Sequence, residues 1–255
     1  MSSMRGLLAF CLLWHGVFSL DPKCAPGGNF DLSHWELQLP SASSQKPGVP
    51  QTIPSSQLQG CNGFHDQSFF TDPSTGAMAM GVPGSPASTH CVTTPHSLHC
   101  RTELREVDAS GNHFSWSPNA PTNRLTVELA VSKAASGNLG TVVGQIHIED
   151  SISTKPVCEL YYQSNGDLGM GVQTSRTGSQ SRPLTVVGNV PVGQKFSYVL
   201  QYQLGALSVS INNGAPQKLD VSALSSPQSY FKVGNYNNGD SASLVDFYSI
   251  SLQHG

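Results

Sequence analysis

Apolar and polar residues alternate with a period of two in short runs along most of the chain. The clearest are 124–131 (RLTVELAV), 142–149 (VVGQIHIE), 197–203 (SYVLQYQ) and 244–252 (LVDFYSISL). Shorter runs at 158–162, 184–187, 207–211 and 230–235 are rich in β-branched or aromatic residues. This is the pattern of half-buried strands. Helical periodicity is not sustained beyond a turn or two, and only 54–58 and 221–224 suggest short helical turns. Turn-forming pairs separate the runs: Gly27-Gly28, Pro47-Gly48, Pro83-Gly84, Ser110-Gly111, Asn165-Gly166, Asn213-Gly214 and Asn238-Gly239. Asn165-Gly166 and Asn213-Gly214 predict tight hairpins, because both residues tolerate positive φ. There is no repeat at solenoid or propeller spacing. The expectation is an all-β fold, a jelly-roll sandwich of two antiparallel sheets.

Composition narrows the class. Of 255 residues, 38% are hydrophobic and 11% charged, with 25 Gly and 17 Pro. Enough apolar side chain is present for a core, which excludes disorder, and the turn-formers exclude a helical bundle. Thirteen Lys and Arg against 16 Asp and Glu leave a net charge of −3, so no nucleic-acid partner is expected. Residues 1–20 (MSSMRGLLAFCLLWHGVFSL) place Arg5 before an apolar stretch and read as a secretory signal, too short to span a membrane. The remainder, 21–255, reads as one secreted domain, with no membrane partner and a monomer expected.

Secretion changes how cysteine reads, because an oxidising compartment favours pairing. Cys11 leaves with the signal, and Cys24, Cys61, Cys91, Cys100 and Cys158 remain. Cys91 and Cys100 are expected to close a short loop. Either Cys24 or Cys61 is expected to pair with Cys158, leaving one thiol free. That loop, HCVTTPHSLHC, also holds His90, His96 and His99, but the spacing fits no zinc site; no metal or other cofactor is expected. No Asn-x-Ser/Thr sequon occurs.

Three segments carry chemistry on one face. Alternate side chains of a strand share a face. In RTELR, Arg101, Glu103 and Arg105 lie together, with Thr102 and Leu104 behind. In QIHIE, Gln145, His147 and Glu149 lie together, backed by Ile146 and Ile148. In YFKVGNY, Tyr230, Lys232 and Tyr236 align, backed by Phe231 and Val233. A plain solvent face would instead be dominated by Ser, Thr, Lys and Glu. Arg and Gln suit a carboxylate, while His and Tyr suit proton transfer. Together they fit a uronic acid within a polysaccharide. Donors to the C6 carboxylate would stabilise the charge that forms as the C5 proton leaves, and the O4 bond would depart by β-elimination.

These three segments resemble the signatures of the alginate lyases of polysaccharide lyase family 7: R-[ST]-E-L-R, Q-[IV]-H and Y-F-K-x-G-x-Y. The opening FDLSHWELQLP at 30–40 and the closing VDFYSISLQH at 245–254 are similar to that family's first and last strands. The resemblance implies a jelly roll with a concave substrate-binding sheet and no metal requirement. By position it implies that Arg101 and Gln145 neutralise the substrate carboxylate. His147 would be the C5 base or help hold the carboxylate, and Tyr236 the acid to O4 and a possible base. Arg105, Lys232 and Tyr230 would bind neighbouring uronates, and Glu103 would orient Arg101 or Arg105. Ile146 in the middle of Q-[IV]-H tends, in that family, to accompany activity on guluronate-containing chains.

Other readings remain beside this one. A glucuronan lyase would share the mechanism, and a non-catalytic sugar-binding module would share the groove. A glycoside hydrolase would need two carboxylates about the scissile bond; Glu103, Glu128, Glu149 and Glu159 show no suitable close spacing. No G-x-S-x-G elbow is present. Trp35 and Trp116 read as core, and His34, His65 and His113 as structural or surface residues, with His65 the nearest to a groove position. A local cationic groove of Arg101, Arg105 and Lys232, extended by Arg124 or Lys133, would attract a polyanion despite the acidic pI.

Overall fold

The computed structural model describes residues 19–95, 97–177 and 182–255. The expected secretory signal, with Cys11, falls almost wholly outside the described residues, as does His96. Among the described residues fifteen strands form: β1 (Trp35–Ala42), β2 (Pro50–Ile53), β3 (Phe69–Thr71), β4 (Met78–Val82), β5 (Arg101–Glu106), β6 (Asn123–Lys133), β7 (Thr141–Ile148), β8 (Pro156–Tyr162), β9 (Asp167–Val172), β10 (Leu184–Asn189), β11 (Lys195–Gln203), β12 (Ala206–Ile211), β13 (Gln217–Leu219), β14 (Ser229–Asn237) and β15 (Ser243–His254). The described helices are single turns: α1 (Pro26–Asn29), α2 (Ser55–Leu58), α3 (Pro86–Thr89) and a 3-10 turn at Ser222–Leu224. None is long and apolar enough to cross a membrane.

The strands make two antiparallel sheets of a jelly roll. One runs β10-β9-β8-β7-β14-β5-β1-β2, the other β13-β12-β11-β6-β15-β4-β3. Their facing sides share one apolar core, in which Leu37, Leu104, Ile146, Phe231 and Val233 of the first sheet meet Leu129, Tyr198, Leu200 and Phe247 of the second. Two of the buried tyrosines keep their hydroxyls satisfied: Tyr198 donates to the Val143 carbonyl at 2.9 Å and Tyr162 to that of Val190 at 2.8 Å. Trp35 and Trp116 are buried, and the Trp116 indole N–H donates to Glu106 at 2.9 Å.

The two sheets differ on their outer sides. In β11, buried Phe196, Tyr198, Leu200 and Tyr202 alternate with more accessible residues, as expected of a sheet wetted on one face. In β8 every residue is buried, and β7 and β14 each have only one that is not. Charged and amide side chains there, among them Glu103, Gln145, Glu159 and Lys232, are covered although they lie outside the apolar core. Long polar side chains packed on one another do the covering, and this layer is the floor of the groove.

Two sequence expectations need correcting. Cys24 bonds to Cys61, not to Cys158; a second disulfide joins Cys91 and Cys100, and Cys158 is the buried free thiol. The cause is topology. Cys158 lies inside β8 with its side chain in the core, while α1 brings Cys24 beside the loop after α2, where the Ala25 N–H donates to the Cys61 carbonyl at 2.9 Å. The two expected hairpins form, but with other turn geometry. The positive-φ pair between β12 and β13 is Asn212-Asn213 (φ 50° and 58°), one residue earlier than expected. At the β8–β9 turn only Gly166 has positive φ (87°), the signature of a longer hairpin loop.

Candidate active site

The three chemistry-bearing segments become β5, β7 and β14, far apart in sequence but consecutive neighbours in the order β7-β14-β5. Register sets the side chains in rows. Lys232 stands opposite Gln145 on one side and Arg105 on the other. Tyr230 stands opposite His147, Tyr236 opposite Arg101, and Gly234 opposite Glu103. Gly234 permits the last pairing, because a Cβ there would lie 2.5 Å from the Thr102 carbonyl oxygen and 2.6 Å from Glu103 Cα. Above these rows is a groove of about 500 Å³ lined by all eight sequence-predicted site residues.

Glu103 is the centre of the floor. Only 1% of its surface is exposed. Its carboxylate accepts from Gln145 Nε2, from Lys232 Nζ at 2.5 Å and from Arg101 Nη1 at 3.3 Å. Burial alone would push this carboxyl up; the charges of Lys232 and Arg101 and the hydrogen bonds from Lys232 and Gln145 outweigh it and hold the group below its ordinary range. Glu103 therefore orients Arg101, Lys232 and Gln145 and offers almost no surface to a ligand; it does not pair with Arg105. Lys232 is pulled down to about 8, chiefly by burial, with Arg101 and Arg105 adding to it and Glu103 opposing.

One end of the groove is built around Tyr230 and His147. Their rings stack at 5.1 Å, and the Arg105 guanidinium lies 4.1 Å above the Tyr230 ring. Asp150, from the turn after β7, accepts from the Tyr230 hydroxyl and from Arg105 Nη1, both at 2.8 Å. His147 Nδ1 lies 2.7 Å from the Ile148 carbonyl, which can only accept, so the proton sits on Nδ1 and Nε2 keeps its lone pair. Burial, followed by the charge of Lys232, pulls the imidazole down to about 4, so the ring is neutral at neutral pH.

The other end is built around Tyr236. Arg101 stacks over its ring at 3.8 Å, as Arg105 does over Tyr230. Here the phenol meets no carboxylate. Its oxygen lies 3.0 Å from Ser97 Oγ, and His99 stands edge-on at 6.1 Å. Both Ser97 and His99 belong to the loop closed by Cys91 and Cys100. Val142, the partner of Tyr236, is five residues from His147 along β7. That is about 16 Å of backbone, but both side chains line the one groove, so the phenol and the imidazole approach a bound sugar linkage from opposite directions along it.

Several residues fall elsewhere than expected. Glu149 lies beyond the end of β7 and accepts from the Ser151 N–H at 3.0 Å, and Asp150, one residue later, lines the groove in its place. Arg124 and Lys133 belong to β6 in the opposite sheet and cannot extend the groove. His65 contacts the Gly63 carbonyl at 3.2 Å and does not line the groove, whereas His113 does, between Glu36 and Arg105. Sequence reasoning also missed Ser97 and the Arg182–Glu159 ion pair, to which the Tyr161 hydroxyl donates. Alternation applied to 158–162 and a search for cations near the groove motifs could have raised Glu159, but nothing local marks Ser97. Among the described residues no group of three or more His, Cys, Asp or Glu side chains could hold a metal ion.

Comparison with known proteins agrees with this geometry. The alginate lyase family model matches residues 30–254. An alginate lyase of Klebsiella pneumoniae is 25% identical over 311 residues, which cover 98% of each chain. Among solved structures, alginate lyase A1-II′, a member of polysaccharide lyase family 7, superposes with a TM-score of 0.76 at 28% identity, over 91% of this chain and 99% of its own. Alginate lyase PA1167 from Pseudomonas aeruginosa gives 0.74 at 26% identity, over 88% and 100%. Variants of A1-II′ have been solved with a product, GGG, and with a substrate, GGMG. The match runs from the segment before β1 to the last residues of β15 and includes all three groove strands, and the chain therefore belongs to the alginate lyase family, polysaccharide lyase family 7.

Proposed function

We propose that this protein cleaves alginate by β-elimination in the groove over β7, β14 and β5, leaving an unsaturated uronate at the new end. The observation that carries the reading is the adjacency of those strands, which gathers Arg101, Gln145, His147 and Tyr236 over one buried carboxylate. Arg101 and Gln145 face the C6 carboxylate of the residue being cleaved, and their donors stabilise the enolate-like charge of the transition state. Lys232 adds positive charge beneath them. For a guluronate, His147 Nε2 takes the C5 proton, the C5–H electrons form the C4=C5 bond, the C4–O4 bond breaks, and O4 takes the Tyr236 proton. A mannuronate presents H5 and O4 on the same side, so Tyr236 then serves as base and acid in turn. A relative, A1-II′, was captured with substrate when one His was replaced by Asn and one Tyr by Phe, which supports giving these roles to a His and a Tyr here.

Arg105, at the His147 end, meets the carboxylate of a neighbouring uronate. Tyr230, 3% exposed and committed to Asp150, supports Arg105 and His147 from beneath. Secretion as a monomeric mature chain 21–255 is part of the same proposal. The two disulfides support it, since such bonds persist in oxidising compartments.

Separate incubation with polymannuronate, polyguluronate and glucuronan, followed by ultraviolet absorbance of the C4=C5 bond, tests the reading. Absorbance is expected with an alginate polymer. Glucuronan as the sole substrate would replace alginate, new reducing ends without absorbance would mean hydrolysis, and binding without either would mean a sugar-binding module.

A further inference from the structure

Ser97 has no counterpart in the motifs that mark the groove, yet its hydroxyl touches two of the groups assigned to the reaction. Its Oγ lies 2.8 Å from Arg101 Nη2 and 3.0 Å from the Tyr236 hydroxyl. It also lies 3.2 Å from the His99 N–H and 3.0 Å from the His99 carbonyl. A serine hydroxyl has one proton and two acceptor positions. The guanidinium and the amide can only donate, and together they fill both acceptor positions. The one remaining proton has two possible destinations, the His99 carbonyl and the Tyr236 oxygen. Tyr236, in turn, finds no acceptor on Ser97 for its own hydrogen.

We propose that Ser97 is a positioning residue for the elimination: it donates to the Tyr236 oxygen, turns the tyrosine's own proton toward the sugar, and holds the phenolate left when that proton passes to O4. Arg101, donating to the same Oγ, polarises the Ser97 hydroxyl and strengthens it as a donor. A phenolate outcompetes a peptide carbonyl as an acceptor, so the Ser97 proton moves from the His99 carbonyl to Tyr236 as the transition state forms. The balance is complete. The proton leaves Tyr236 for O4, the electron pair of the C4–O4 bond goes to O4, and Ser97 loses nothing.

The Cys91–Cys100 disulfide belongs to the same device. Ser97 lies in the loop between them, outside any strand. Among the described residues, backbone hydrogen bonds to the loop are few: the Val92 N–H to the Pro40 carbonyl at 2.7 Å, the Asn237 N–H to the Cys100 carbonyl at 3.0 Å, and the Ser97 N–H to the Thr94 carbonyl at 3.0 Å within the loop itself. The disulfide ties the loop to the first residue before β5, next to Arg101. The crosslink therefore maintains Ser97 over Tyr236.

This inference rests on the acid role given to Tyr236, and the experiment separates the two. In the full chain acting on alginate, Ser97→Ala is expected to lower kcat about ten-fold with KM within about two-fold, the size of one hydrogen bond to a charged group. Ser97→Thr, which keeps the hydroxyl, should restore most of kcat. Cys91→Ser/Cys100→Ser should lower kcat to a similar degree, and adding Ser97→Ala to it should cost little more. An unchanged kcat in Ser97→Ala, an effect on KM alone, or a loss of kcat that Ser97→Thr does not rescue overturns the role of Ser97. Fully multiplicative losses in the combined variant overturn the role of the disulfide. If Tyr236→Phe keeps full activity, the proposed function fails first, whatever Ser97 does.

Discussion

The two ends of the groove begin from the same device and finish with different chemistry. At each end an arginine of β5 stacks on a tyrosine of β14: Arg101 on Tyr236 at 3.8 Å, Arg105 on Tyr230 at 4.1 Å. What the phenol oxygen meets then separates them. Tyr230 is buried and donates to Asp150; burial first, then the Asp150 charge, push it far above the ordinary tyrosine range despite the opposing pull of Arg105. Its proton is held. Tyr236 is partly accessible, and among the described residues its hydroxyl bonds only to that of Ser97. Its proton is free to reach a substrate. An Arg–Tyr stack is thus a scaffold, and the third partner decides whether the phenol holds an arginine in place or acts as an acid.

The largest effect should come from exchanging the phenols for phenyl rings. Tyr236→Phe is expected to lower kcat about 10²–10⁴-fold, the usual contribution of a general acid. Tyr230→Phe should leave kcat within about an order of magnitude, because no proton transfer is lost. Absorbance kinetics on both variants decide the comparison, and equal losses would break it.

Next is the buried charge that joins the two ends. Glu103→Gln leaves Lys232 covered without its counter-charge, at a cost of about 3–5 kcal/mol. In a domain of this size that lowers Tm by roughly 10 °C, which calorimetry would detect. The sign with pH also follows. A carboxyl held below its unfolded value contributes fully above the ordinary Glu range of about 4.3 and loses the contribution as pH falls through the folded value. Acid destabilisation should therefore be shallower in Glu103→Gln than in the parent protein.

The pH–activity profile should separate the two ends without mutation. With His147 pulled down to about 4, the imidazole stays unprotonated across the neutral range, and the acid limb of kcat is expected near pH 4. With Lys232 pulled down to about 8, its charge is lost as pH rises through that value, so KM for alginate should climb there before kcat falls. An acid limb near the ordinary histidine value of about 6.5 would show that burial does not depress His147 in the working enzyme.

The smallest effect is expected at Asp150, which is half exposed and shares Arg105 with His113. Asp150→Asn removes a carboxylate that competes with substrate for Arg105, so KM should fall by no more than about three-fold, and less at high salt. A rise in KM would show that Asp150 holds Arg105 in position and does not compete for it.

Alternation along the chain was enough to place Arg101, Gln145, His147, Lys232 and Tyr236 on polar faces, because a strand sends every second residue to one side whatever it packs against. It failed at the strand ends. Glu149 fits the alternation, but the strand stops at Ile148, and the turn presents Asp150 instead. Ser97 could not be found this way, because its partners are 4 and 139 residues away and are met only through a loop.

The order of polar and apolar residues, by itself, determined that this protein is a two-sheet β fold with ionisable side chains on three of its strands, since side-chain periodicity and turn chemistry are local properties. Which strands are neighbours, that Cys24 bonds to Cys61 while Cys158 stays a buried thiol, and that Glu103 lies beneath the groove as the anchor of three donors were decided only by tertiary structure. The reason is physical. Burial, pairing and the electrostatic field at a residue are set by groups distant along the chain, and no short stretch of sequence contains them.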